Sequence, residues 1–76
     1  MKELVEFIAR SLVDETDEVH VTEYQRDRLR ILELHVAQPD LGKVIGRQGR
    51  TARAMRNVLA AACAKTGRRY SLDIVD

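Results

Sequence analysis

The residues between Gly42 and Arg50 have the types and spacing that could bind a phosphate. Glycine permits a tight turn and leaves no Cβ to block a close ligand. The segment also precedes a predicted helix, whose free N–H groups and dipole attract anions. Because Lys43, Arg47 and Arg50 add positive charge, the segment predicts a phosphate-bearing ligand. It runs Gly42-Lys43-Val44-Ile45-Gly46-Arg47-Gln48-Gly49-Arg50.

Two common nucleotide-binding motifs do not fit this segment. The mononucleotide motif G-x-x-x-x-G-K-[ST] needs glycine where Val44 stands and lysine where Arg50 stands. The dinucleotide motif also needs glycine in place of Val44. A Gly-x-x-Gly flanked by hydrophobic and basic residues instead matches the clamp of a KH domain, which grips a backbone of about four nucleotides.

The charges of the chain are strongly segregated, although its net charge is only +1. Residues 1–40 contain five bases and ten acids, residues 41–70 contain eight bases and no acid, and the tail adds Asp73 and Asp76. Because the field near a surface depends on local clustering, the near-neutral total does not exclude a polyanionic partner. The alternative is a basic helix face that is simply solvated.

Length and composition limit the class of protein. The chain has 76 residues, enough for one small domain, and is 45% hydrophobic and 33% charged, as globular domains are. No apolar stretch approaches the ~20 residues of a membrane span. A single cysteine, Cys63, excludes an internal disulfide and a cysteine-based zinc cage. We therefore expect a reduced cytoplasmic protein that is not bound to a membrane.

Hydrophobic periodicity predicts three helices and three strands in the order α-β-β-α-α-β. This is an α+β fold with the helices packed on one face of a three-stranded sheet, and the first two strands are expected to be antiparallel. On the long helix, the side chains expected to share the buried face are Met55, Val58, Leu59, Ala62 and Cys63, with Thr66 also facing the sheet. The predicted elements are a helix at 2–13, a strand at 19–22, a loop at 25–28, a strand at 32–36, a helix from Pro39 that ends by Gly46, a helix from 48 or 49 to 65, and a strand at 70–74.

The segment Val44–Arg50 resembles the signature of KH domains, and the helix-first element order resembles their prokaryotic type II arrangement. Length and content are similar to the bacterial KhpA family, small RNA-binding proteins that consist of one KH domain. The resemblance covers essentially the whole chain. It implies a single KH domain over residues 1–76, with a core at about 29–76 and an N-terminal helix and strand in 1–28.

The resemblance also implies a role for each residue of the loop. The four residues from Gly46 to Gly49 would hold RNA phosphates, and Val44 and Ile45 would help line an apolar groove for bases, with burial in the core as the alternative for both. Aromatic residues make up 4% of the chain, too few for a base-stacking platform. Binding is therefore expected to depend on salt and little on sequence. The residues expected to bind RNA are Lys43, Val44, Ile45, Gly46, Arg47, Gln48, Gly49, Arg50 and Arg53.

The outer face of the long helix predicts a protein contact. Ala60, Ala61 and Ala64 are small and uncharged, so another helix could approach closely; alternatively, alanine is there because it favours helix. The resemblance implies self-association or pairing with a larger KH protein of the KhpB kind, also called Jag or EloR. It further implies a chaperone-like action on many RNAs and a role in cell elongation and peptidoglycan homeostasis.

No arrangement in the sequence supports catalysis or a cofactor. His20 and His35 could be neighbours across the first two strands, but no third metal ligand or nucleophile accompanies them. Cys63 lies on the apolar side of its helix and is expected in the core. No catalytic residue, metal site or small-molecule substrate is therefore expected. Two alternatives stay open: a protein-interaction module with a vestigial nucleic-acid surface, and binding of DNA rather than RNA.

Overall fold

The computed structural model of the protein describes residues 1–75. Its elements follow the predicted order α-β-β-α-α-β. The tail acid Asp76 lies outside the described residues. The elements are α1 (Lys2–Leu12), β1 (His20–Arg26), β2 (Leu29–His35), α2 (Leu41–Ile45), α3 (Arg50–Cys63) and β3 (Arg69–Ile74), with short 3₁₀ turns at Thr16–Glu18, Gln38–Asp40 and Arg47–Gly49.

The three strands form one sheet in the order β1-β2-β3. β1 and β2 are antiparallel, as predicted, and pair from His20 opposite His35 to Arg26 opposite Leu29. β2 and β3 are parallel. A parallel pair requires a long crossover, and α2 and α3 together provide it.

The hydrophobic core lies between one face of the sheet and the three helices. Because side chains alternate along a strand, Val21, Leu34 and Leu72 point to the same face, and all three are buried in the core cluster. The helices cover this face, which confirms the predicted α+β arrangement. Their buried contributions to the cluster are Val5 and Ala9 from α1, Val44 from α2, and Met55, Leu59 and Cys63 from α3. No helix within residues 1–75 is both long and apolar enough to cross a membrane.

The strand β1 is longer than the sequence predicts. It continues through Gln25 and Arg26, which were expected in a loop, and the hairpin turn is only Asp27 and Arg28. Asp27 has φ +56°, a left-handed conformation that aspartate tolerates in turns. This half of an edge strand is exposed on both faces, so it lacks the alternation by which a strand is recognised.

The helix α3 is shorter than predicted, and its buried face differs from the predicted one. Gln48 and Gly49 have positive φ and cannot belong to it, and it ends at Cys63 rather than 65. Val58 is 45% exposed, and Thr66, beyond the helix, is exposed as well, so both predictions of burial were wrong. Ala52 is buried instead, because the stripe of α3 against the sheet is narrow and follows Ala52, Met55, Leu59 and Cys63.

Candidate nucleic-acid interface

The glycine loop, residues 46–49, joins α2 to α3 through unusual backbone conformations. Gly46 has φ 76° and ψ 172°, and Gln48 and Gly49 are both left-handed. The Gly46 N–H donates to the carbonyl of Gly42 at 2.8 Å, and the Gly49 N–H donates to the carbonyl of Gly46 at 3.1 Å. The loop is thus a compact turn closed by backbone hydrogen bonds, and it leads directly into the first turn of α3.

Gly46 is required by sterics as well as by its backbone angle. A Cβ at this position would lie 2.2 Å from Oγ1 and 2.7 Å from Cβ of Thr51, and its φ of +76° is one that L side chains rarely adopt. Gly49 has a similar φ, but a Cβ there would meet no atom within 4 Å. The two glycines therefore differ in function: Gly46 permits close packing against α3, whereas Gly49 supplies the turn and an open surface.

The basic side chains around the loop are exposed. Arg47, Gln48 and Arg50 face solvent, and no ion pair within residues 1–75 involves Arg47, Arg50 or Arg53. The Nη2 of Arg53 donates to the Gln48 carbonyl at 3.0 Å, so this arginine supports the loop as well as charging it. Gly49 gives α3 no side-chain cap, so its positive N-terminal end is available to an anion. This arrangement can hold a phosphate.

Lys43 lies close to the loop, but its charge is already partnered. Its ammonium group pairs with the carboxylate of Asp14 and lies 3.4 Å from Oδ1 of Asp40. The hydrogen bond to Asp14, opposed by some desolvation, raises the pKa of Lys43. Lys43 therefore contributes less free positive charge to the loop than Arg47 or Arg50, a difference that sequence alone does not show.

Asp40 is a structural residue of the site that sequence reasoning missed. Its side chain is only 2% exposed, and its two oxygens accept the backbone N–H groups of Asp14 at 3.3 Å and Glu15 at 3.0 Å. The bond from the Glu15 N–H, opposed by desolvation and helped by Asp14 and Lys43, lowers the pKa of Asp40. The carboxylate thus fastens the connection after α1 to the start of α2. The only sequence signal was an acid and a lysine three residues apart at a helix start.

Val44 and Ile45 do not share one environment. Val44 is fully buried and belongs to the core cluster, so its side chain has no surface to offer a base and the expected groove role does not fit it. Ile45 is half-buried and keeps part of its side chain accessible. The physical reason is helix geometry, because consecutive residues of α2 point about 100° apart.

The third arginine of α3 contacts the free edge of the sheet. Arg56 donates from Nε and Nη2 to the carbonyl of Leu72 at 3.2 and 3.1 Å. Leu72 lies in β3, which has a neighbouring strand on one side only. The guanidinium group therefore satisfies an outward carbonyl of this edge and keeps positive charge beside it. No pattern in the sequence indicates this contact.

The histidines and the cysteine form no chemical centre. His20 and His35 are direct register partners, which confirms their predicted proximity. Within the described part of the chain, no group of three or more histidine, cysteine or acidic side chains could hold a metal ion. Cys63 is buried, as predicted, and burial raises the pKa of its thiol.

Comparison with known proteins agrees with this fold and loop. The family described as "KhpA/KhpB, KH domain" matches residues 2–74. The chain belongs to this family. The glycine loop and α3 therefore occupy a KH domain, and the helix-first order is that of the type II fold.

Relatives from several bacteria match over nearly their whole length. The RNA-binding protein KhpA of Borreliella burgdorferi is 54% identical over 74 residues, which cover 97% of this chain and 90% of the relative. KhpA of Halalkalibacterium halodurans is 53% identical over 76 residues and 100% of both chains. KhpA of Treponema pallidum is 49% identical over 75 residues, 99% of this chain and 94% of the relative. No solved structure gives a significant match.

Proposed function

We propose that this protein is a non-catalytic RNA-binding protein that clamps the backbone of single-stranded RNA at the glycine loop. The single observation that carries the proposal is the compact loop at residues 46–49, exposed beside Arg47 and Arg50 at the uncapped start of α3. Membership of the KhpA/KhpB family and relatives named as RNA-binding proteins support it.

The proposed binding set follows the geometry of the loop. The loop backbone at Gly46–Gly49 and the side chains of Arg47 and Arg50 would meet phosphates directly, and Ile45 would offer apolar surface to a base. The N–H groups of Gly46 and Gly49 already donate to backbone carbonyls, so the phosphate contacts would rest mainly on the two arginines. Arg53 would support the loop from below, and Lys43 would be a weaker contact because two carboxylates already hold it.

A charge-reversing variant of the loop tests this function. We expect Arg47→Asp with Gln48→Asp to abolish binding of a five-nucleotide oligouridylate in fluorescence anisotropy, because both side chains are exposed and the new carboxylates repel phosphate. The matched control is Arg10→Asp with Ser11→Asp, an exposed pair on α1 that changes the charge by the same amount. It should bind like the wild type.

The salt dependence of the wild type provides the second part of the test. About four phosphate contacts to a single strand predict that log K falls with log salt at a slope near −3. If the Arg47→Asp, Gln48→Asp variant keeps its circular dichroism spectrum and still binds the oligonucleotide, the glycine loop is not the clamp. This result would favour a protein-interaction module. Equal competition by the matching DNA strand would show that the clamp ignores the 2′-hydroxyl.

We also propose that the protein acts in the cytoplasm as a chaperone-like factor on many transcripts. In this proposal it self-associates or pairs with a larger KhpB-like KH protein and takes part in cell elongation and peptidoglycan homeostasis. The structure favours the outer face of α3 as the contact, since Val58 is 45% exposed and Ala61 is exposed. Two linked clamps would raise the effective concentration of each on one RNA.

A further inference from the structure

A second basic cluster lies at the end of the molecule opposite the glycine loop. We call it the basic end: Arg26, Arg28, Lys65, Arg68 and Arg69. The register places Arg26 opposite Leu29 and Leu29 opposite Arg69, so the hairpin turn and the start of β3 lie at the same end of the sheet. Lys65 and Arg68 belong to the turn that joins the end of α3 to β3.

The charges of the basic end are unpaired. All five side chains are exposed, and none of them forms an ion pair in the part of the chain that the structure describes. The segments 26–28 and 64–70 contain one acid, Asp27. The C-terminal end of α3 carries a partial negative charge, but this dipole is equivalent to about half an elementary charge, far below that of five bases.

A concave surface lies at the basic end. A cavity of about 400 Å³ opens here, and Arg68 and Arg69 form part of its wall. Tyr70, Leu29, Ala60 and Ala64 complete much of the lining, so the wall beside the charges is apolar. A cleft lined by one sign of charge over low-dielectric walls concentrates the field and attracts a polyanion more strongly than a flat surface.

The turn that carries Arg68 is held in place. The hydroxyl of Thr66 donates to the Cys63 carbonyl at 2.9 Å and accepts the backbone N–H of Arg68 at 3.3 Å. Gly67 between them has φ +71°, a conformation suited to glycine. Arg68 therefore leaves the end of α3 from a defined turn.

The two basic regions are connected by the helix α3, which contains no acidic residue. α3 has 14 residues, which corresponds to about 21 Å between the glycine loop and the basic end. α3 contains no aspartate or glutamate, and Arg53 and Arg56 lie along it. A clamp holds about four nucleotides, so a longer strand would continue beyond it toward the basic end.

We propose that the basic end is a second phosphate-binding site for the same single-stranded RNA, reached only by strands longer than those that fill the glycine loop. This inference rests on the proposed function. Charge complementarity selects the occupant: the end has five unpaired bases, two of which (Arg68 and Arg69) line a cleft, and a nucleic-acid backbone carries one negative charge per nucleotide. The loop would fix one end of the strand, and the basic end would hold its continuation.

The test compares a five-nucleotide and a fifteen-nucleotide oligouridylate on the same variants. We expect Arg68→Ala with Arg69→Ala to weaken binding of the long strand about tenfold and to make its salt slope less negative by roughly 1.4, or about 0.7 for each lost contact. Affinity for the short strand should stay unchanged. A long strand can bind in more positions than a short one, which raises its apparent affinity. This effect cancels because variant and wild type are compared on the same oligonucleotide.

The control variant removes two bases from a different surface. Lys2→Ala with Arg10→Ala changes the net charge equally and lies on α1. If the basic-end variant binds the long strand with the same affinity and slope as this control, the second site is overturned. Arg26→Ala with Arg28→Ala, in the hairpin, gives an independent version of the test should the first variant fold poorly.

Failure of the second site is distinguishable from failure of the clamp. The variant Arg47→Asp with Gln48→Asp must lose the short strand if the glycine loop is the clamp. Loss of the short strand there, with no effect of the basic-end variants on the long strand, would keep the proposed function and refute this inference.

Discussion

At the scale of single residues, the two glycines of the loop are not equivalent. Gly46 and Gly49 share a positive φ, so both need a residue that tolerates the left-handed half of conformational space. Only at Gly46 would an added Cβ also collide with a neighbour, Thr51. Glycine is therefore required at Gly46 by backbone angle and by space, and at Gly49 by backbone angle alone.

This difference predicts unequal costs of alanine. We expect Gly46→Ala to lower the free energy of unfolding by about 3 kcal/mol, since the new methyl group overlaps Thr51 and φ is strained. Gly49→Ala should cost ~1 kcal/mol, from φ alone. Gly42→Ala, in open space within α2, should be neutral or slightly stabilising. Urea unfolding measures all three, and equal costs at Gly46 and Gly49 would contradict the packing argument.

At the scale of elements, Asp40 connects parts of the chain that are distant in sequence. It lies at the junction of a 3₁₀ turn and α2, and its oxygens accept N–H groups from the segment after α1, 25 and 26 residues away. Lys43, one turn later, adds its ion pair. The start of α2, and through it the glycine loop, is thus fixed to the N-terminal part of the fold by one carboxylate.

This connection predicts that the free energy of unfolding decreases at low pH. The pKa of Asp40 is lowered in the folded state, so its contribution is present above its unfolded value near 3.8 and is lost as pH falls through the folded value. Asp40→Asn should unfold at a lower urea concentration than the wild type at pH 7, because an amide cannot accept both N–H groups and also pair with Lys43. The difference in urea midpoint between the two proteins should become smaller below about pH 4, because the carboxylate of the wild type is then progressively protonated.

The control for this prediction is Asp17→Asn, an exposed acid in the first 3₁₀ turn. This substitution should change the midpoint of urea unfolding only slightly at pH 7. If the difference in urea midpoint between Asp40→Asn and the wild type stays constant from pH 7 down to pH 3, the charge of Asp40 does not stabilise the fold. Its contribution would then come from packing and hydrogen-bond geometry.

At the scale of the whole molecule, the surface divides by charge and by polarity. The glycine loop and the basic end lie at the two ends of α3, and Val58 and Ala61 form an uncharged patch on the outer face of that helix. Ala60 and Ala64 line the cavity at the basic end, so a protein contact on α3 would centre on Val58 and Ala61. RNA and a partner could then occupy adjacent surfaces of one molecule.

This division predicts self-association that one charge can prevent. In analytical ultracentrifugation the wild type should sediment at about twice the 8.7 kDa mass of the chain, and Ala61→Asp should sediment as the monomer, because a carboxylate would be buried without a partner. Ser11→Asp adds the same charge on exposed α1 and should remain a dimer. A monomeric wild type, or a dimeric Ala61→Asp, would exclude this contact.

The sequence determined those features that depend on local spacing. Two glycines three residues apart and bases around them were enough to locate the loop, and periodicities of 3.6 and 2 were enough to order the elements. Local spacing did not predict the strand where both of its faces are exposed, as at Gln25 and Arg26 in β1, because polar and apolar residues do not alternate there. It also failed where only a narrow stripe of a helix packs in the core, so that neighbouring residues differ in burial. Val44 is buried and Ile45 only half-buried, and Leu59 is buried whereas Val58 is exposed.

Only the tertiary structure decided which charges are free. Lys43 and Arg47 look alike in sequence, yet the first is held by Asp14 and Asp40 and the second faces solvent. Likewise, the basic end exists only because the fold places the hairpin turn and the start of β3 at the same end of the sheet, on either side of β2. A Coulomb interaction depends on distance through space, and residues far apart along the chain acquire that distance only when it folds.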